Sequence, residues 1–159
     1  MKIGVLSDIH LKSDSGSLQK IINAHLSDVD MFFLCGDLTT MRIYDLFSHK
    51  RVEAVAGNMD DYELKSTLPI KRVVEIHGHK FGLIHGYGSP HQIEERITTE
   101  FDDVNCIVYG HTHSAVNKKV NNIMYFNPGS PTDKMFAEYN SVGILHVTDY
   151  TIEGEIIKI

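Results

Sequence analysis

Seven residues able to bind a metal ion each follow a short apolar run: Asp8 with His10, Asp37, Asn58, His85, and His111 with His113. Histidine nitrogens mixed with carboxylate and amide oxygens suit Mn, Fe, Zn, Ni or Co better than Ca. The carboxylate of Asp37 is able to bridge two cations about 3.5–4 Å apart. Asp8 and His10 alternate with Ile9, so an extended segment would aim both side chains at one ion. His111 and His113 have the same spacing in a loop, where a twisted backbone would send them to different ions. Two divalent cations would outweigh the charges of Asp8 and Asp37, leaving a positive centre that attracts an anion. They would also lower the pKa of a shared water to about 7, making it a nucleophile at neutral pH.

The runs before these residues, 3–6, 31–35, 52–56, 81–84 and 106–109, read as strands buried on both faces. In an open α/β sheet, ligands bind beyond the carboxyl ends of the strands, so all seven residues are expected at one edge. Leu18, Ile21, Ile22 and Leu26 recur at helical spacing behind Ser17, the expected N-cap. Thr39 or Thr40 is expected to cap a helix through Ile43, Leu46 and Phe47. Ser89-Pro90 with Gln92 reads as a capping box with proline at the first helical position, opening a helix whose stripe is Ile93, Ile97 and Phe101. Two strand-like stretches flank His77, Gly78 and His79 as a hairpin over 71–84. Another pair surrounds Asn121 and Asn122, and two more span 142–159. The first half therefore predicts α/β layering, and the antiparallel additions predict a second sheet packed on the first.

A chain of 159 residues suffices for one domain, here read as 1–159 without a cap domain, with about two thirds of its unfolded surface buried. Fifteen Lys plus Arg against twenty-one Asp plus Glu gives a net charge of -6, which disfavours non-specific nucleic-acid binding. Asp8 and His10 interrupt the first apolar stretch before a signal-peptide core forms, and no run reaches transmembrane length. A cytoplasmic location without membrane contact is the expectation, and free cysteines agree with it. Cys35 and Cys106 lie in strand runs and read as small buried hydrophobes. His25, His49, His77, His79 and His146 lack motif context and read as surface or structural residues. Lys118 and Lys119 read as a solvated hairpin edge. The oligomeric state is left open, a homodimer included.

The motifs D-x-H, G-D, G-N-x-D, H-G and G-H-x-H occur in that order, as Asp8-Ile9-His10, Gly36-Asp37, Gly57-Asn58-Met59-Asp60, His85-Gly86 and Gly110-His111-Thr112-His113. Each is weak alone, but the ordered set is specific. Along essentially its whole length the chain resembles the calcineurin-like metallophosphoesterase superfamily. Asn127-Pro128-Gly129-Ser130, the short length and the missing cap make it similar to the small YfcE-like phosphodiesterases of bacteria and archaea, which also resemble the eukaryotic retromer scaffold subunit.

This resemblance implies a four-layer α/β/β/α sandwich with two mixed sheets and outer helices. It places one ion on Asp8, His10, Asp37 and His113, and a second on Asp37, Asn58, His85 and His111. The implied function is a dinuclear metal-dependent phosphoesterase in which a metal-bridging hydroxide attacks a small phosphoester, diesters being favoured over monoesters and Mn over the other ions. Asn58, His85 and Asp60 are the candidate catalytic residues. Many superfamily members carry a histidine at the position of Met59 as proton donor to the leaving group, and Met59 cannot donate. Asp60 is a candidate for support behind the ligands, and Tyr87 or His91 for the missing donor. Backbone amides at Gly36, Gly57 and Gly110 are expected to help hold phosphate oxygens. Met59 also supports an alternative, a non-catalytic or weakly catalytic interaction scaffold like the retromer subunit. A nuclease is a weaker third option, because the chain has neither the length nor the charge to grip nucleic acid.

Overall fold

Strands that are apolar on both faces must be covered on both sides, and the chain meets this demand with two facing sheets and helices outside them. The computed structural model describes residues 1–13, 16–133 and 135–159. In chain order the elements are β1 (Lys2–Leu6), α1 (Ser17–His25), β2 (Met31–Cys35), α2 (Met41–Asp45), β3 (Arg51–Val55), α3 (Tyr62–Thr67) and β4 (Lys71–Ile76). They continue with β5 (His79–Ile84), α4 (Ile93–Thr98), β6 (Cys106–Val108), β7 (Val116–Val120), β8 (Ile123–Asn127), β9 (Ser141–Val147) and β10 (Ile152–Lys158).

One five-stranded sheet has the order β10-β9-β1-β2-β3 and the other β4-β5-β6-β8-β7. Parallel pairing of β1 with β2 and β2 with β3 makes the centre of the first, and antiparallel β9 and β10 extend it. In the second, β5, β6 and β8 are parallel, flanked by antiparallel β4 and β7. Both sheets are mixed, as expected.

β2 shows why its run has no polar position. Met31, Phe33 and Cys35 point between the sheets, whereas Phe32 and Leu34 point outward against Leu18, Ile22 and Ile43 of α1 and α2. Phe33 meets Phe81 of the other sheet edge-on, with ring centroids 5.6 Å apart. On the far side Ile93 and Ile97 of α4 cover Ile84, Ile107 and Tyr125. Helices, sheet, sheet and helix make the four expected layers.

Several local expectations need correction. Ser17 is the first residue of α1, with Gly16 in the capping position at φ 91°. Thr40 precedes α2 as expected, but its hydroxyl donates to the Lys12 carbonyl and caps nothing. The helix ends at Asp45, so Leu46 and Phe47 lie beyond it. No capping box opens α4: Gln92 adopts φ 55°, a left-handed conformation that cannot join a helix, and Ser89 Oγ accepts the His91 amide at 3.2 Å in a local turn. Helix α3, capped by Asp61 accepting the Leu64 amide at 3.0 Å, had no periodic signal because Leu64 is its one buried residue. The hairpin turns fall where expected, with positive φ at His77, Gly78, Asn121 and Asn122.

Candidate metal centre

Asp8 and His10 follow β1, Asp37 follows β2, Asn58 follows β3, His85 follows β5, and His111 and His113 follow β6. All seven come together at one edge, five of them within two compact groups. Donor atoms of Asp8, His10 and His113 lie within 4.8 Å of one another, and so do those of Asp8, Asp37 and His85. His113 Nε2 is 3.4 Å from Asp8 Oδ1 and 3.1 Å from His10 Nε2. Asp37 Oδ2 stands between the groups, 3.5 Å from His10 Nε2 and 3.3 Å from His85 Nε2. Asn58 Oδ1 lies 3.1 Å from both His85 Nε2 and His111 Nδ1. The two histidines of G-H-x-H thus diverge, as a twisted loop would make them.

That twist belongs to the whole edge. Asp8, His10, Asp37, His111 and His113 have φ of 54°, 50°, 55°, 70° and 57°, the left-handed region that residues other than glycine rarely occupy. The extended geometry expected for Asp8 to His10 is therefore wrong, and their convergence comes from two left-handed turns. Each such residue costs of order 1–3 kcal/mol, held only where surrounding contacts over-determine it. Those contacts are present. The amides of Ile9 and His10 both donate to the Asp37 carbonyl, at 2.9 and 3.0 Å, and the His111 amide donates to the Asp8 carboxylate at 3.0 Å.

Asn127 and Ser130 complete this bracing. Asn127 Nδ2 donates to the Gly110 carbonyl at 3.0 Å and to Thr112 Oγ1 at 3.1 Å, and Ser130 Oγ donates to the Asp8 carbonyl at 2.6 Å. The turn at 127–130 therefore shapes the centre. Two glycines permit the close approach of the loops. At Gly110 a methyl would stand 2.7 Å from Asp8 Oδ2, and at Gly57 it would overlap Asp37. The expectation that motif amides hold phosphate fails for both: Gly57 N donates to Asp60 Oδ2 at 2.7 Å and Gly110 N to the His85 carbonyl at 3.0 Å.

The outer nitrogens of three histidines are occupied. His85 Nδ1 is 2.7 Å from the Cys35 carbonyl, His111 Nε2 is 2.8 Å from the Gly88 carbonyl and His113 Nδ1 is 2.6 Å from Asp133 Oδ2. Carbonyls only accept, so His85 and His111 carry protons there and turn lone pairs inward, as metal-binding histidines do. Inward lone pairs together with carboxylate and amide oxygens fit divalent transition ions. Burial pushes the Asp8 carboxyl upward. Burial also acts on Asp37, but hydrogen bonding and charge from His85, with the Met59 amide, hold it below the usual range. His85 is raised: burial opposes its charged form, and Asp37 and Asp8 outweigh that.

Asp133 escaped the sequence reading, since nothing in its spacing from His113 marks it. It accepts from His113 and from the amides of Met135, Phe136 and Ala137, which together overcome burial and lower its pKa to about 2. Asp133→Asn keeps an acceptor for the amides while weakening the hold on His113. Metal affinity is expected to fall about 10–100-fold, the usual effect of removing such a partner, with the melting curve little changed. Titration calorimetry on the stripped protein reads the loss.

Asp60 does not face the donors. Its carboxylate accepts from Gly57, Asp37 and Thr39 amides at 2.7, 3.2 and 2.7 Å, tying the β2 and β3 loops together from behind. Tyr87 is directed elsewhere, donating to Glu100 Oε1 at 2.8 Å, and His91 is exposed and outside the cavity lining. Met59 does line the cavity, while its amide donates to Asp37 Oδ1 at 2.7 Å. The motif-free histidines lie apart as expected: His49 meets the Leu46 carbonyl, His77 meets Asp149, His79 the Thr148 carbonyl and His146 Glu155. Cys35 and Cys106 are buried free thiols.

Histidine nitrogens and carboxylates gathered at one open cavity, on strained loops at the strand ends of a sandwich, make a candidate metal centre. Comparison with known proteins gives the family: residues 1–150 match the calcineurin-like phosphoesterase superfamily domain, and the chain belongs to that superfamily. A probable metallophosphoesterase of Methanocaldococcus jannaschii is 38% identical over 136 residues, covering 83% of this chain and 69% of the relative. The structure of a novel archaeal phosphodiesterase superposes with TM-score 0.76 at 26% identity over 100% of both chains. Vps29 from Entamoeba histolytica, complexed with zinc, shares the fold with TM-score 0.74 at 22% identity over 99% of both chains. The chain is a metallophosphoesterase by family, a class that works with divalent metal ions. Among the described residues no helix is long and apolar enough to cross a membrane.

Proposed function

We propose that the chain is a dinuclear metal-dependent phosphodiesterase acting on a small phosphoester. The observation that carries this reading is Asp37, whose Oδ2 lies within 3.5 Å of a histidine from each donor group. Asp8, His10, Asp37 and His113 would hold one ion, and Asp37, Asn58, His85 and His111 the second, with Mn favoured over Ni, Fe, Zn or Co. When bound, such ions supply an acidified water as nucleophile and positive charge opposite the phosphate oxygens. The chain's own residues orient and brace: His85 presents Nε2 because Nδ1 is held by Cys35, and Asp60 fixes the loop that carries Asn58. Among the described residues lining the cavity there is no Lys or Arg to meet the second charge of a monoester, which supports a diester. The buried free thiols support a cytoplasmic location.

Met59 leaves no side chain at that position to protonate a departing alkoxide. Turnover is therefore expected to depend steeply on the acidity of the leaving group, with nitrophenyl esters cleaved far faster than alkyl esters. The test is hydrolysis of bis(p-nitrophenyl) phosphate by purified protein with added Mn or Ni. No turnover with any transition metal would remove the enzymatic reading. The scaffold alternative has Met59 and the fold likeness to Vps29 in its favour, and it gains if Asp37→Asn and His85→Ala leave the biological role intact.

A further inference from the structure

The cavity over the donor atoms measures about 720 Å³, and its rim is apolar. Met59, Met135 and Phe136 line it and are 57%, 81% and 73% exposed. Large apolar side chains left in water on the lining of a cavity that holds polar donors are placed to meet the organic part of a ligand bound there. Nor are they loosely attached. Asp133 accepts the amides of Met135 and Phe136 at 2.8 and 3.0 Å with the same carboxylate that holds His113. The Phe136 ring stands edge-on to the His113 imidazole, centroids 5.8 Å apart and planes at 86°. On the other side Met59 is tied through its amide to Asp37. The apolar rim is thus fastened to two of the residues proposed to hold the ions, and any phosphate held there has its ester groups beside it.

We propose that Phe136, with Met135 and Met59, is a specificity-determining surface that binds an aromatic ester group of a phosphodiester. The inference rests on the phosphodiesterase reading above and narrows its substrate class. A diester carries two organic groups, one that leaves and one that stays on phosphorus, and an open rim on the donor cavity has room for the one that stays. An aromatic group suits it better than an alkyl group. A phenylalanine face gives geometry-specific contact to another ring, and two methionine thioethers add favourable sulfur–aromatic contacts.

Two experiments on Mn-loaded protein separate this proposal from the reading beneath it. The first compares the affinities of diphenyl phosphate and dimethyl phosphate by titration calorimetry, which needs no turnover. The second compares KM for p-nitrophenyl phenyl phosphate and p-nitrophenyl methyl phosphate, which share a leaving group. The phenyl compounds are expected to be favoured about tenfold in both, in KM rather than kcat, the size expected from one buried aromatic contact. In Phe136→Ala the ratio falls toward one, and in Phe136→Tyr it is retained. An equal affinity for phenyl and methyl diesters in the wild type, or a ratio unchanged in Phe136→Ala, overturns the proposal. A phenyl preference in binding without hydrolysis of either ester would instead keep the apolar surface and overturn the phosphodiesterase.

Discussion

Asp37→Asn is expected to reduce phosphodiester hydrolysis on the order of 10³-fold, the upper range for losing a single electrostatic stabiliser, while the protein melts near its original temperature. The side chain keeps its volume, and Oδ1 can still accept the Met59 amide. What changes is the atom between the donor groups. Oδ2 faces His10 Nε2 at 3.5 Å and His85 Nε2 at 3.3 Å, and an amide nitrogen there presents hydrogens to a place arranged for a cation. Steady-state rates with saturating Mn, together with metal content, check the result. Activity within tenfold of wild type would mean that Asp37 does not join two sites.

Gly57→Ala is expected to disrupt the same centre without touching a donor. The added methyl would overlap Asp37 Oδ1 and the Asp37 amide nitrogen, so the loop after β3 must retreat from the loop after β2. Retreat breaks the bonds of the Asp37 and Thr39 amides to Asp60 and the bond from Met59 N to Asp37. Overpacking of this kind costs about 1–3 kcal/mol, and the displaced Asn58 and Asp37 should lose metal as well. Chemical denaturation reads the first effect and calorimetric titration the second. A variant that unfolds and binds Mn like the wild type would show that the loops do not depend on this approach.

The strands were legible because β1, β2, β5 and β6 lie between two covering layers and so carry apolar residues on both faces, as does the Ala54–Val55 end of the edge strand β3. Ordered polar residues at their ends made the metal centre visible for the same reason, since strand ends in such a fold share an edge. The start of α4 was not legible: Ser89, Pro90 and Gln92 carry a valid capping pattern, and only the left-handed Gln92 breaks it. The left-handed conformations of Asp8, His10 and Asp37 were hidden too, because contacts between loops distant in sequence impose them. Asp133 had no local pattern at all. Its importance comes from where the loop after Ser130 folds back onto His113.

The most direct test of a dinuclear centre is calorimetric titration of metal-stripped protein with Mn, run beside elemental analysis of the loaded protein. Two ions per chain are expected, with fewer retained in Asp37→Asn. Saturation at a single ion per chain, or no binding at all, would contradict two sites sharing Asp37.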